Sequence, residues 1–267
     1  MLKLLINAGC LIGLLSGFLV AQADHSIRFM VGRNVNLSKD RLASPFQYRG
    51  WAVPLSLEYV RSGDQWSHEG GLYLQVSKLE SKFHGNLGAS SHEAELVDVE
   101  FHYAFLKKLK WMPGGMTISA GTLWLNAFTL RNYSYADGLE EETVAEVYSS
   151  IHPMLQTVYF VSPATSLIWR IHVPLISLTY RNPYSLATDR DGAIATRHSY
   201  LGAFLKLSHW TSPFGFFSVD NTLTLKKELT SKWSAELSYG LRWSEFTRPK
   251  TSVSVRQQLL FGLVFHP

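Results

Sequence analysis

The chain has 267 residues, of which 46% are hydrophobic and 13% aromatic, and its formal net charge is +4. This length accommodates one large domain and does not require two. Because the basic residues are not clustered on one face, the small positive charge gives no indication of a nucleic-acid partner.

The first residues have the organisation of a secretory signal peptide. Lys3 precedes an apolar run from Leu11 to Val20, and Ala21-Gln22-Ala23 offers small residues at the two positions that a signal peptidase reads. We therefore expect residues 1–23 to be cleaved and residues 24–267 to form a single domain that begins at Asp24. The alternative is an uncleaved anchor helix.

Beyond this segment the sequence restricts the protein to two classes. The only cysteine, Cys10, lies within the predicted signal, so the mature protein would carry no thiol, no disulfide and no cysteine metal site. No later stretch approaches the ~20 consecutive apolar residues that a membrane helix needs. An exported chain of this kind is either a soluble secreted protein or an outer-membrane β-barrel.

Segments with alternating polar and apolar residues recur along the mature chain. From Lys232 to Phe246 the sequence reads KWSAELSYGLRWSEF, in which every second residue from Trp233 to Trp243 is apolar or aromatic. Such alternation is typical of a strand whose two faces meet different surroundings. The segments from Val97 to Phe105 and from Val253 to Phe265 repeat the pattern. Alternating segments of about ten residues predict an antiparallel transmembrane β-barrel.

The number of strands follows from the spacing of these segments. Eleven candidates are separated by turn residues, and Thr143 to Ile151 adds a twelfth if it turns at His152-Pro153. Because bacterial outer-membrane barrels have an even number of strands, we predict twelve, with ten as the alternative if two segments form one bent strand. Only Leu139 to Ser149 is compatible with a helix.

Tryptophan residues stand at both ends of the ladder that begins at Trp233. Trp243 lies ten residues after Trp233. This separation is ~33 Å along an extended strand, and a strand tilt of ~40° reduces it to ~25 Å of depth in the membrane. That depth matches the apolar band of a transmembrane barrel, at whose edges aromatic side chains favour the headgroup level. We therefore predict that Trp233, Trp243 and Phe265 are membrane-interface residues. The alternative, a soluble sandwich, usually has strands of about five or six residues.

One stretch points to a known group of proteins. The sequence HVPLISLTYRNPYS, from His172 to Ser185, together with the preceding YSYADG and the aromatic-ended final strands, resembles small outer-membrane β-barrel proteins of Bacteroidota. The resemblance extends over most of the mature chain. It implies the barrel fold and a location in the bacterial outer membrane. The group is functionally uncharacterised, so the resemblance implies no catalytic residues.

Two pairs of residues raise the question of catalysis or metal binding. Outer-membrane lipid hydrolases use a histidine and a serine on a barrel wall, which invites comparison with His198-Ser199. Their motifs place the two residues at i and i+2, whereas adjacent strand residues face opposite sides, and no His-x-Ser occurs in the chain. His68 and Glu69 are also adjacent, and no HExxH sequence is present. We therefore predict neither catalytic residues nor a metal site.

If the apolar ladders face lipid, the alternate residues face the lumen. Their charges are of both signs, unlike the single-sign rings of ion-selective pores. Buried charges require partners, so we predict that they pair across neighbouring strands and fill a narrow lumen. Arg242 should lie near Arg256 in the final hairpin, which requires carboxylates such as Asp220 or Glu100 to approach. The predicted lumen-facing polar residues are Asp98, Glu100, His102, Lys206, Asp220, Lys226, Glu236, Arg242, Arg256 and Gln258.

These observations together predict a non-enzymatic outer-membrane β-barrel protein that is a structural or interaction component. There are two alternatives: a narrow passive channel for small polar solutes, and an outer-membrane lipid hydrolase, whose usual motif is absent. The expected partners are outer-membrane lipid and an envelope protein, with no nucleic acid, and no cofactor is expected. The expected location is the bacterial outer membrane.

Overall fold

The computed structural model describes residues 24–40, 47–85, 88–112, 115–134, 142–181, 202, 207–247 and 251–267. The predicted signal peptide lies outside these residues, so its cleavage stays a prediction. The described residues form thirteen β-strands. They are β1 (Asp24–Asp40), β2 (Gln47–Ala52), β3 (Leu55–Ser62), β4 (Trp66–Gly85), β5 (Gly88–Met112), β6 (Met116–Ser134), β7 (Glu142–Ser162), β8 (Thr165–His172), β9 (Ile176–Arg181), β10 (His209–Thr211), β11 (Phe216–Glu228), β12 (Trp233–Phe246) and β13 (Ser252–Phe265).

These strands pair antiparallel and close into a ring, because β1 pairs with the last strand, β13. β2 and β3 both lie between β1 and β4 and are two halves of one span, separated by Val53 and Pro54. β8 and β9 form a second divided span, which lies beside β7. β10 and β11 form a third, since β10 pairs with β9 and β11 with β8. The thirteen strands therefore make ten spans.

This ring confirms the predicted antiparallel barrel, and its ten spans agree with the alternative of ten strands and not with twelve. Residues 143–151 form neither a separate strand nor a helix, because β7 continues through His152 and Pro153. β6 pairs with β7 on both sides of Pro153. On its other side, Pro153 lies opposite the interruption between β8 and β9. A proline, which lacks a backbone donor, is tolerated where the neighbouring ladder is already broken.

The connections at the two ends of the ring differ in length. One end, which we call the short-turn end, holds Asp24 and Phe265 and has the connections 63–65, 113–115, 163–164 and 229–232. The opposite end, the long-loop end, has the connections 41–46, 86–87, 135–141, 182–208 and 247–251, of which 182–208 is by far the longest. Short turns at the periplasmic end and longer extracellular loops are typical of bacterial outer-membrane barrels.

The two faces of the ring have opposite character. Along β12, Leu237 is 47% exposed while the next residue, Ser238, is only 5% exposed. On β13, Phe261 faces outward and Leu260 is buried. The outward face thus forms an apolar belt, and the inward face carries most of the buried charges. No helix among the described residues is long and apolar enough to cross a membrane.

Candidate functional site

Five charged side chains meet in the middle of the lumen, and we call them the central cluster: Asp98, Glu100, Asp220, Arg242 and Arg256. Arg242 and Arg256 lie directly opposite each other in the β12–β13 pairing. Oε1 of Glu100 accepts a hydrogen bond from each of them, at 2.7 Å from Nη1 of Arg256. Nε of Arg242 also donates to Asp220 at 2.6 Å, and Arg256 donates to Asp98. The carboxylates therefore separate two like charges, as the register of the final hairpin predicts.

The central cluster joins opposite walls of the barrel. Glu100 lies on β5 and Arg242 on β12, and these strands are on opposite sides of the ring. The prediction of pairing across neighbouring strands holds for Asp220 and Arg242, which are register partners, but not for Glu100 and Arg242. The diameter of a barrel grows with its number of strands, and the side chains of eight strands just fill the interior. A ring of ten is only slightly wider, so a long side chain such as arginine reaches far across its lumen.

Neutral side chains add hydrogen bonds to the carboxylates of the central cluster. Asp98 accepts from Thr129 at 2.9 Å and from Gln75 at 3.2 Å. Gln75 in turn accepts from Asn34 at 2.6 Å. Each of these partners lies on the inward face of a different strand, so the network fixes the relative positions of several spans.

A second group of six charged or titratable side chains lies nearer the short-turn end, and we call it the lower cluster. Arg170 donates two hydrogen bonds to Glu69, of 2.8 and 2.7 Å. Nη1 of Arg28 donates to Glu58 at 2.5 Å, and Nε of Arg28 lies 2.7 Å from Glu236. Nε2 of His102 lies 3.5 Å from Glu69. The lower cluster consists of Arg28, Glu58, Glu69, His102, Arg170 and Glu236.

The lumen toward the long-loop end is filled by ion pairs and aromatic rings. Glu146 lies 2.8 Å from Arg131 and 3.0 Å from Arg181. The Phe216 ring packs against Phe246 and Tyr148, with centroids 4.5 and 4.7 Å apart. These three rings are buried inside the barrel. The described part of the lumen therefore narrows on this side of the central cluster.

Two cavities lie on either side of the central cluster. The larger, of about 140 Å³, is bordered by the lower cluster and also by Arg242 and Arg256. The smaller, of about 40 Å³, is bordered by Arg131, Glu146 and the same two arginines. Arg242 and Arg256 thus form the partition between the two spaces.

A histidine chain extends from the central cluster toward β7. Nε2 of His152 lies 2.6 Å from Oγ of Ser150, and its Nδ1 lies 3.2 Å from Nδ1 of His172. Nε2 of His172 is 3.9 Å from Asp220. Ser150 and His152 share the inward face, as a nucleophilic serine and its general base do in an enzyme. However, they are only 1% and 0% exposed, and they border neither cavity. A substrate therefore has no access to this serine in the described structure.

The structure brings most of the predicted lumen-facing residues together. Asp98, Glu100, Asp220, Arg242 and Arg256 form the central cluster, and His102 and Glu236 belong to the lower cluster. Gln258 borders the larger cavity. Lys226 lies opposite Glu236 in the β11–β12 register. Lys206 lies outside the described residues.

The predicted interface residues occupy the ends of the final strands. Trp233 is a register partner of Phe265, and their ring centroids are 5.0 Å apart. Trp243, at the other end of β12, meets Phe217 edge-on at 5.6 Å. Both tryptophans lie on the outward face, near opposite ends of the apolar belt.

The other residues considered for chemistry do not form a site in the described structure. His198-Ser199 lies outside the described residues. His68 points outward and hydrogen-bonds Tyr103 at 2.7 Å, whereas Glu69 points inward to Arg170. The two side chains diverge, as expected for neighbours on a strand.

Sequence reasoning missed Arg28, Glu58, Arg170 and the inward role of Glu69. The alternation offers a signal for Glu69, because Gly71 and Tyr73 follow it at intervals of two and share its inward face. Arg170 and Arg28 reach carboxylates on strands that are not their neighbours. Such contacts depend on how the ring closes, which no local pattern reveals.

Comparisons with known proteins agree with this architecture. The fold is similar to that of the outer membrane protease OmpT from Escherichia coli, with a TM-score of 0.52 and 9% identity, over 94% of this chain and 100% of the protease. The translocator domain of the autotransporter NalP from Neisseria meningitidis gives a TM-score of 0.48 and 8% identity, over 97% and 94% of the two chains. No protein-family model and no curated protein matches the chain.

Together, the closed ring, the apolar belt and the likeness to the fold of OmpT define the class. The chain is a membrane β-barrel protein of the bacterial outer-membrane type, in agreement with the location predicted from the sequence. At 9% identity, the likeness establishes the fold and transfers no activity from the protease. The resemblance to a Bacteroidota group stays a prediction.

Proposed function

We propose that this protein is a non-enzymatic structural or interaction component of the outer membrane, with a lumen that is closed by its own side chains. The central cluster is the observation that carries the proposal. Arg242 and Arg256 extend from β12 and β13 to acids on β5, so the bridge lies across the path that a solute would take. Breaking a buried ion pair leaves an uncompensated charge, and this cost keeps the ion pairs formed and the lumen closed.

The packing on the long-loop side of the bridge supports the same function. The rings of Tyr148, Phe216 and Phe246 pack together on the inward face, in space that water would fill in a wide channel. Tyr48 and Tyr133 are each 1% exposed and meet edge-on with centroids 5.2 Å apart. A barrel filled in this way is a rigid anchor that presents its outward belt to lipid. An envelope-protein partner stays a prediction.

A narrow passive channel is the second candidate, and the two cavities favour it. Both cavities are bordered by Arg242 and Arg256, and the larger one has room for several water molecules. Movement of these two side chains would connect the cavities along the barrel axis. Pores with charged constrictions select ions by the sign of that charge.

Single-channel recording in planar bilayers separates the two functions. We expect the folded wild-type protein to give no stable conductance steps in symmetrical salt. Stable, selective steps would reject the closed-lumen function in favour of the channel. In that case Arg256→Ala should shift the ion selectivity of the steps, because the arginine lines the constriction. The control Arg33→Ala should not, because Arg33 lies on the outward face over Trp51.

A further inference from the structure

The lower cluster contains three side chains whose arrangement differs from that of an ordinary ion-pair network. One carboxylate oxygen of Glu58, one of Glu69 and one ring nitrogen of His102 all lie within 4.8 Å of one another. Two carboxylates and an imidazole are ligands that bind Zn²⁺ and similar first-row divalent ions. A zinc ion with bonds of about 2.0–2.2 Å holds its ligand atoms ~3–4 Å apart, so small rotations bring this set to coordination distance.

The backbone leaves space for these side chains at one position. Gly71 lies between Glu58 on β3 and His102 on β5 in the cross-strand register. A Cβ at Gly71 would lie 2.4 Å from Cε1 of His102 and 2.7 Å from Cγ of Glu58. The absence of a side chain at this position therefore allows the imidazole and the carboxylate to converge.

A buried oxygen of Glu236 is the independent observation that points to a ligand. The Glu236 side chain is 1% exposed and borders the same cavity. Its Oε1 has no hydrogen-bond partner among the described residues. A buried carboxylate oxygen without a donor is costly unless a cation or a donor reaches it.

Arg28 connects this oxygen to the three candidate ligands. Its Nη1 donates to Glu58 at 2.5 Å and lies 3.9 Å from Glu69, while its Nε lies 2.7 Å from the second oxygen of Glu236. A divalent ion at Glu58 would displace the guanidinium toward Glu236. Arg28 would then donate a hydrogen bond to Oε1 of Glu236. The lower cluster therefore has one hydrogen-bonding arrangement for the metal-free state and another for the metal-bound state.

We infer that Glu58, Glu69 and His102 form a binding site for one divalent transition-metal ion, such as Zn²⁺, inside the lumen. Arg170 holds Glu69 in place through its two hydrogen bonds and acts as a positioning residue. The larger cavity supplies space for water as a further ligand. This site is independent of whether the lumen is closed or conducting.

Titration of the folded full-length protein in detergent micelles with Zn²⁺, followed by calorimetry, tests the site. We expect His102→Gln to weaken the tightest binding at least about tenfold, because it removes a direct ligand. The matched control is His172→Gln, which alters another lumen histidine that borders the same cavity and should leave the affinity unchanged. Heat-modified gel mobility confirms that each variant is folded before its affinity is measured.

A second variant and a second ion keep the test decisive. Gly71→Ala should also weaken Zn²⁺ binding, because its methyl group occupies the space between two ligands. Co²⁺ added to the wild type should give visible absorption of a site with nitrogen and oxygen ligands, and His102→Gln should change that spectrum. The inference is overturned if wild-type protein binds no Zn²⁺, or if His102→Gln and His172→Gln bind it equally tightly.

Discussion

The central and lower clusters share one lumen and the same numbers of carboxylates and arginines, yet they differ in how fully their oxygens are bonded. In the central cluster, Asp98 accepts from a guanidinium, an amide and a hydroxyl. Glu100 accepts from two arginines. In the lower cluster, Oε1 of Glu236 has no donor among the described residues, and a glycine leaves a gap beside His102.

This difference separates two uses of buried charge. A network that joins opposite walls, and in which no buried carboxylate oxygen of the described residues lacks a partner, resists change. Removing any member leaves others unpaired in a low-dielectric interior. A network with an unpaired oxygen and adjacent space accommodates an additional ligand with small rotations. The central cluster therefore suits closure of the lumen, and the lower cluster suits binding.

The largest expected effect is in the central cluster. Arg242→Ala should lower the free energy of unfolding by ~3–5 kcal/mol, because it leaves Glu100 and Asp220 short of a buried partner. The outward Arg33→Ala, which loses a cation–π contact with Trp51, should cost no more than ~0.5–1 kcal/mol. Urea unfolding of both variants in lipid bilayers measures the difference. If Arg242→Ala and Arg33→Ala lowered the free energy of unfolding by similar amounts, the ion pairs of the central cluster would not stabilise the barrel as we propose.

A smaller effect is expected where the lower cluster has its gap. Gly71→Ala should cost ~1–3 kcal/mol, because its Cβ overlaps His102 and Glu58 and forces them apart. Gly70→Ala is the matched control on the opposite face, where the nearest atom to a Cβ is 3.9 Å away. That substitution should be neutral or stabilising, since glycine weakens a strand interior. If both changes are neutral, the cluster is looser than its contacts indicate.

The fold was accessible from the sequence because alternation is a local property. Leu237 and Ser238 reveal their faces through their immediate neighbours, and an even ring follows from the class of barrel. The sequence leaves the number of spans open between twelve and ten. Pro54 interrupts one span and is easily mistaken for a strand boundary, whereas Pro153 lies within β7 and is easily mistaken for a turn.

The candidate sites divide in the same way. The register of the final hairpin places Arg242 opposite Arg256 and requires acids to approach, which is a local deduction from the sequence. The choice of Glu100 on the far wall depends on the diameter of the ring, and the contact of Arg28 with Glu236 depends on its closure through β13. Long-range geometry therefore decides which charges meet, although short-range pattern decides which charges face inward.

The smallest expected effect tests whether Oε1 of Glu236 truly lacks a donor. Lys226 lies opposite Glu236 in register, but no ion pair joins them in the described part of the chain. Lys226→Met should therefore change the free energy of unfolding by no more than about 0.5 kcal/mol, similar to Lys227→Met on the outward face. A cost above about 1.5 kcal/mol for Lys226→Met alone would identify the ammonium as the partner of the Glu236 carboxylate. The carboxylates of the lower cluster would then be bonded as completely as those of the central cluster, and Oε1 of Glu236 would no longer distinguish the two.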